Sequence, residues 1–227
     1  MSGRIFYLNG RSSEMKCQIF PPLKITPNAV LGLTHFQVYN SIPNVDEKNG
    51  SFQYELNGKW KMIIIPEGTY ELSNIDEYLK SNLGQDNISI ISNPNTLKCI
   101  FWCKYKVNFT EKTSIGDLFG MEKKVVEAGV KCESKEILKI SNINSIHIEV
   151  DIVSGSYNNG TPTNCIYKCF ISTPPGFRIL ESPSNVVYLP IITEEIDSIT
   201  VRLTDEQRNL INFRNEEIAI ELHLKLL

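Results

Sequence analysis

NSIHIEVDIV, residues 144–153, places Ile146, Ile148, Val150 and Ile152 on one side and Ser145, His147, Glu149 and Asp151 on the other. Successive side chains of a strand point to opposite faces. This period of two therefore reads as a strand with one buried and one polar face, the mark of an antiparallel sheet. The pattern returns in DSITVRL (197–203), where Ile199, Val201 and Leu203 alternate with Thr200 and Arg202. It returns again in EEIAIELHLKLL (216–227), where Ile218, Ile220, Leu222, Leu224 and Leu226 alternate with Ala219, Glu221, His223 and Lys225.

Turn chemistry separates further strands. FQYELNGKWKMIII (52–65) reads as a hairpin closing at Asn57-Gly58, a pair suited to a type I′ turn. Asn93-Pro94-Asn95 divides NISIIS from TLKCIFWCKYKV. Asn158-Asn159-Gly160-Thr161-Pro162 interrupts two more strands, and Thr173-Pro174-Pro175-Gly176 ends the second, NCIYKCFI. GVKCES and KEILKIS are weaker strand segments. One helix is expected over LSNIDEYLKSNLG (72–84), with Ser73 as N-cap, Asp76 three residues on, Gly84 at the C-terminus and a core stripe of Ile75, Leu79 and Leu83. SIGDLFG (114–120) suits one short helical turn.

About eight to eleven strands, one helix and no strand–helix alternation point to a β-sandwich or jelly roll rather than a βαβ fold. The expected architecture is mainly β: a single antiparallel jelly roll of about eight core strands, with one short helical insertion near residues 73–83. An N-terminal arm, 1–14, precedes a single domain, 15–227. No separate insertion domain is expected, and Asp46 to Gly50 and Gly155 to Pro162 read as long end loops.

The 227 residues are 41% hydrophobic and 22% charged, enough to build a sizeable core, and the formal net charge is -3. No basic excess points to nucleic acid. The arm is the one segment through which nucleic acid could be touched. Its Arg4, Arg11 and Lys16 against Glu14 give little phosphate affinity at physiological salt, so an exposed tail is the plainer reading. No run reaches the ~18 apolar residues of a membrane span. MSGRIFYLNGRSS lacks the apolar core of a signal peptide and fails the myristoylation pattern. Folding in a reducing compartment is expected, where the sequons at Asn87, Asn108 and Asn159 carry no meaning.

Cys99 and Cys103 are four apart, as are Cys165 and Cys169. Along a strand that is roughly 13 Å, too far for one disulfide or one tetrahedral zinc. The pairs could meet across strands, but small buried apolar side chains are the plainer reading. His147 and His223 fall on polar strand faces, and His35 lies opposite Phe36 and Val38. No two histidines have chelating spacing, and HExxH, Cys-x2-Cys, GxSxG, Walker A and GxGxxG are all missing. The acidic run 193–197 reads as a solvated turn. No catalytic residue, cofactor or metal is expected. Trp60 and Trp102 lie in strand patterns, where core is the expectation.

PPLKITPNAVLGLTHFQVYNSIPNV (21–45) and FQYELNGKWKMIIIPEGTYELSNIDEYL (52–79) are followed by SIGDLFG and INSIHIEVDIVSGSYNNG. PPGFRI, VVYLPI and DSITVRLTDEQRNLINFRNEEIAIELHLKL complete the order. Taken in sequence over most of residues 15–227, this set resembles the minor capsid (penton) proteins of Polinton or Maverick elements and the related adintoviruses. The resemblance implies a single jelly roll without catalytic activity. Five copies would form the capsomer at each five-fold vertex of an icosahedral virion, beside a double-jelly-roll major capsid protein.

A five-fold ring needs heterologous contacts, in which one patch meets a different patch on the neighbour. Tyr157, Phe177, Arg178 and Tyr188, in long loops, suit such contacts, because aromatic residues and Arg are enriched at interfaces. Ile42 and Val45 are added because HFQVYNSIPNV (35–45) reads as a strand leaving its sheet. Pro43 should lie at or just beyond the strand end, since proline cannot donate to the ladder. For each residue the plainer reading is that it closes an end of the sandwich. Two alternatives compete: a carbohydrate- or receptor-binding jelly roll, and a cupin-type enzyme whose histidines and a carboxylate would converge on a metal.

Overall fold

The computed structural model describes residues 3–140 and 143–226. Met1 and Ser2 of the expected arm, Ser141 at the end of KEILKIS, Asn142 and Leu227 lie outside the described residues. In chain order the first strands are β1 (Gly3–Gly10), β2 (Glu14–Lys24), β3 (Val30–Tyr39), β4 (Ser51–Leu56) and β5 (Lys59–Ile64). Helix α1 (Leu72–Leu83) follows, then β6 (Ile88–Ser92), β7 (Lys98–Cys103), β8 (Val107–Asn108), β9 (Val125–Val126) and β10 (Lys131–Ile137). The last are β11 (Ser145–Val150), β12 (Ser156–Asn158), β13 (Thr161–Thr163), β14 (Cys165–Phe170), β15 (Arg178–Glu181), β16 (Tyr188–Pro190), β17 (Glu195–Thr204) and β18 (Ile218–Lys225). The chain divides into two compact units, one running to Ile42 and resuming at Ile143, the other inserted between them from Pro43.

The first unit is the jelly-roll sandwich. One sheet runs β1-β18-β3-β15, with β16 also on β3, and the other runs β14-β11-β17-β2. All these pairings are antiparallel. Along the chain every connection between these strands changes sheet except those from β11 to β14 and from β15 to β16. Inward faces follow the period of two: Ile146, Ile148 and Val150 meet Ile199, Val201, Leu203 and the even residues Ile218 to Leu224 in one core. On β3 the inward residues are Leu31 and Leu33, then Phe36 and Val38. This change of parity is a bulge at Thr34, where the ladder to β18 slips between Glu221 and Leu222. The Thr34 hydroxyl holds the bulge by donating toward the Glu221 carbonyl (3.1 Å) and carboxylate (2.8 Å).

Residues 3–10, expected as an arm, form β1, paired from Gly3↔Lys225 to Gly10↔Ile218. Leu8 is buried and Phe6 packs on the core. These two apolar residues between Arg4 and Arg11 were too short an alternation to outweigh the flanking charge.

The inserted unit differs from the expectation of one helix within a single domain. It holds a sheet β5-β4-β8-β9, a sheet β10-β7-β6, and α1. Its own core runs from Val45 to Val126 and includes Phe52, Phe101, Phe109 and Phe119. The corner in HFQVYNSIPNV is where the chain leaves the first unit. β3 ends at Tyr39 and Pro43 lies beyond it, as expected. On the first unit's side Asn40 Nδ2 donates to the Thr173 carbonyl (2.7 Å) and Ser41 Oγ to the Phe213 carbonyl (2.5 Å). On the other, Asn44 Nδ2 donates to the Tyr70 and Ile140 carbonyls, and Asn44 Oδ1 accepts from the Tyr70 N–H.

Helix α1 buries Ile75, Leu79 and Leu83 as the stripe requires, and Gly84 closes it with φ at 99°. Its N-cap is Glu71 rather than Ser73. A reciprocal pair is the reason: Asn74 Oδ1 accepts the Glu71 N–H at 3.0 Å, which fixes the first turn two residues earlier. Asp76 is buried; its carboxylate accepts from the Ile90 N–H (2.8 Å) and from Lys80 Nζ (2.6 Å). Asp76→Ala leaves the buried Ile90 N–H without its acceptor and is expected to lower stability by about 1–3 kcal/mol. A urea titration measures the loss, and an unchanged midpoint contradicts it.

Candidate assembly face of the sandwich

The outer face of the first sheet is built by the residues that alternate with its core. Register rows cross it: Ile5 lies beside His223, His223 beside Gly32, and Gly32 beside Tyr188. A second row runs Tyr7, Glu221, His35. Ala219, Gln37 and Leu180 form a third, and Tyr39 pairs with Arg178. Ile5, Tyr7, Tyr39 and Leu180 are exposed, so apolar and aromatic groups spread across three strands, β1, β3 and β15. Gly32 makes room for this: a Cβ there would come 2.5 Å from Val186 Cγ1 and 3.0 Å from the Tyr188 ring.

Two of the six expected contact residues lie on this face. Arg178 stacks over the Tyr39 ring (5.0 Å) and donates to its hydroxyl (3.0 Å). Tyr188 shares a 2.8 Å hydrogen bond with His223 Nδ1 and carries Lys225 Nζ 4.5 Å above its ring. Both are therefore pre-ordered, which lowers the entropy lost on association. Phe177 is exposed just before β15. Tyr157 is 70% exposed near the tip of the β12–β13 hairpin. Ile42 packs, half-buried, against the first core. Val45 corrects the expectation: it is 0% exposed in the core of the inserted unit and presents no surface. The chain beyond the corner runs into a second core.

Trp60 also departs from expectation. It is exposed on β5 with Met62 and Ile64, while Trp102 is half-buried and donates Nε1–H to the Gly129 carbonyl at 3.0 Å. β5 is the edge strand of its sheet, and Trp60, Met62 and Ile64 share one exposed face of it. Cys99, Cys103 and Cys169 are buried and Cys17, Cys132 and Cys165 half-buried, all as free thiols. Burial pushes Cys99 and Cys169 up to about 12 and Cys103 to about 11, so these three thiols stay protonated near neutral pH. Among the described residues no group of three or more His, Cys, Asp or Glu gathers as a metal site. Among them also, no helix is long and apolar enough to cross a membrane.

The polar face of β11 is covered. Ser145, His147 and Glu149 are all buried. The turn 205–209 reaches this face: Glu206 accepts from the Asn144 and Ser145 N–H groups and the Ser145 hydroxyl, and Arg208 Nε donates to Glu149 Oε1 at 3.0 Å. Asp205 shapes the turn by accepting the N–H groups of Gln207 and Asn209. The signal available in the sequence was the dense polar run DEQRN, which read only as a loop.

Burial, then the Lys168 charge, pushes the His147 pKa below its usual 6.5. Burial alone would raise Glu206, but hydrogen bonds from its own backbone, from Ser145 and from Asn144 outweigh it and hold the carboxyl below 4.5. Both groups bind a proton less readily folded than unfolded. Stability therefore falls as pH drops, first for His147 below 6.5 and then for Glu206 below 4.5. Urea midpoints on a descending pH series, read by far-ultraviolet circular dichroism, are expected to show a shallower first decline in His147→Gln. An unchanged decline contradicts the assignment.

No family model matches the chain, and no curated protein matches it. Among solved structures the chain is similar to the crystal structure of the selenomethionine-labelled mavirus penton protein. That match covers 99% of this chain and 100% of the other, at 11% identity and a TM-score of 0.49.

Proposed function

We propose that the chain is a structural capsid subunit of the penton type, without catalytic activity, that assembles as a homopentamer at five-fold vertices. The observation that carries this is the ordered set of sequence segments over residues 15–227. Its pieces fall on β2 and β3, on the β4–β5 hairpin and α1, on β11, and on β15 to β18. The exposed face with Tyr7, Tyr39, Arg178, Leu180 and Tyr188 supports it, since subunits of a ring must bury such surface. A double-jelly-roll major capsid protein is the second partner, and the virion is the place of action.

Co-expression with a major capsid protein of that type, followed by electron microscopy, tests the reading. Particles with this chain at their vertices are expected. Particles closed without it, or none in any combination, count against it. A second reading, a carbohydrate- or receptor-binding module, is favoured by one observation: Trp60 stands exposed on an edge strand directly opposite Glu55. Reproducible glycan-array signals lost in Trp60→Ala would support it.

A further inference from the structure

A cavity of about 420 Å³ opens on the outer side of the second sheet of the sandwich, in the size range of small-ligand sites. Glu149, Arg208, Tyr157, Ile166, Val187 and Leu189 are among its lining residues. Glu149 is 2% exposed, and only one of its oxygens is satisfied. Oε1 accepts from Arg208 Nε at 3.0 Å, whereas Oε2 has no hydrogen-bond partner among the described residues. Arg202 Nη1 stands 3.8 Å from Oε2, beyond hydrogen-bond reach, and Arg202 Nε, 3.1 Å from Glu14 Oε2, has no hydrogen-bond partner among the described residues either. A buried acceptor left without a donor costs free energy that a ligand can recover.

Charge decides what kind of donor fits. Arg202 and Arg208 flank the one carboxylate, and Lys168 also lines the cavity. Another cation would be repelled, and an anion would meet Glu149 without a proton to give it. A neutral N–H avoids both costs. Tyr157 and Val187, exposed at 70% and 63%, and the partly or fully buried Leu189 and Ile166 call for an apolar group beside that N–H. We propose that this cavity binds a neutral amide with a branched apolar side chain, its N–H donated to Glu149 Oε2.

The test is a titration of the ¹⁵N-labelled full chain followed by amide chemical shifts. The probes are N-acetyl-leucine amide, a capped Gly-Leu-Gly peptide, and isovalerate, which has the apolar group but no N–H. Saturable shifts at Tyr157, Ile166 and Leu189 are expected with the amides, and at least tenfold weaker binding of isovalerate. Tighter binding of the peptide assigns the amide to a polypeptide segment, and tighter binding of the small amide assigns it to a free ligand. Glu149→Gln, which places an NH₂ donor beside the acceptor position, is expected to weaken amide binding at least tenfold. Val187→Lys, at an exposed position that does not carry the core, is expected to do the same. Absence of saturable shifts, equal binding of isovalerate, or unchanged affinity in a folded Val187→Lys protein overturns the proposal.

Discussion

Phe101→Ala is expected to cost the inserted unit about 3–5 kcal/mol, the range for removing a fully buried Phe side chain from a packed core. Phe101 is 0% exposed, and its ring centroid lies 5.2 Å from that of Phe109 and 6.4 Å from that of Phe52. The cavity is enclosed by these rings, which cannot collapse without leaving their edge-to-face geometry. A loss of this size is a large part of the roughly 5–15 kcal/mol that hold a domain folded. Trp60 and Trp102 are the chain's two tryptophans, and both belong to the inserted unit. Tryptophan fluorescence in a urea titration therefore reads this unit. A Phe101→Ala midpoint equal to the parent's contradicts the packing.

Arg208→Ala is the second large effect, expected to destabilise the sandwich by about 2–3 kcal/mol. Removing one partner of a buried ion pair strands the other, at a typical cost of ~3–5 kcal/mol. The lower figure reflects Arg208 itself, whose side chain is 47% exposed while Glu149 is 2% exposed. Arg202 Nη1 at 3.8 Å gives the stranded carboxylate only weak support. Adding Glu149→Gln to Arg208→Ala removes the buried charge and is expected to restore part of the loss. Circular dichroism in urea measures both. A single-variant loss under about 0.5 kcal/mol means the pair behaves as an exposed surface bridge.

The sandwich was legible because one-sided burial writes itself as alternation. Ile146 to Ile152 and Ile218 to Leu224 carry that pattern over four apolar positions each; β18 takes in all four of its positions, and β11 takes in three and ends at Val150. The polar corner at Asn40–Asn44 was legible as a strand end because Pro43 cannot join a ladder. What lay beyond it was not. The inserted unit is built from the same alternation and the same turn residues as the sandwich, so no change in composition marks its start. Val45 looked free for that reason and is core instead.

The sites were less legible than the strands. Period two assigns a side chain to a face but not a cover to that face. Ser145, His147 and Glu149 fall on the polar side of β11 as the alternation places them; the turn carrying Glu206 and Arg208 buries them from about 60 residues further along the chain. Trp60 shows the reverse: its alternation with Lys59 and Lys61 suggested burial, but β5 ends its sheet and its outward face meets no second layer. Bulges are nearly as silent: Thr34 changes which residues of β3 face the core, and the one cue is Gly32 two residues before it.

Native mass spectrometry of the purified full chain, over a concentration series and with the major capsid protein added, reads the proposed pentamer itself. A species of five times the 25.8 kDa chain mass is expected, lost when exposed Leu180 is replaced by Glu while the circular dichroism spectrum is kept. A chain that stays at its single mass at every concentration, with and without the capsid protein, contradicts it.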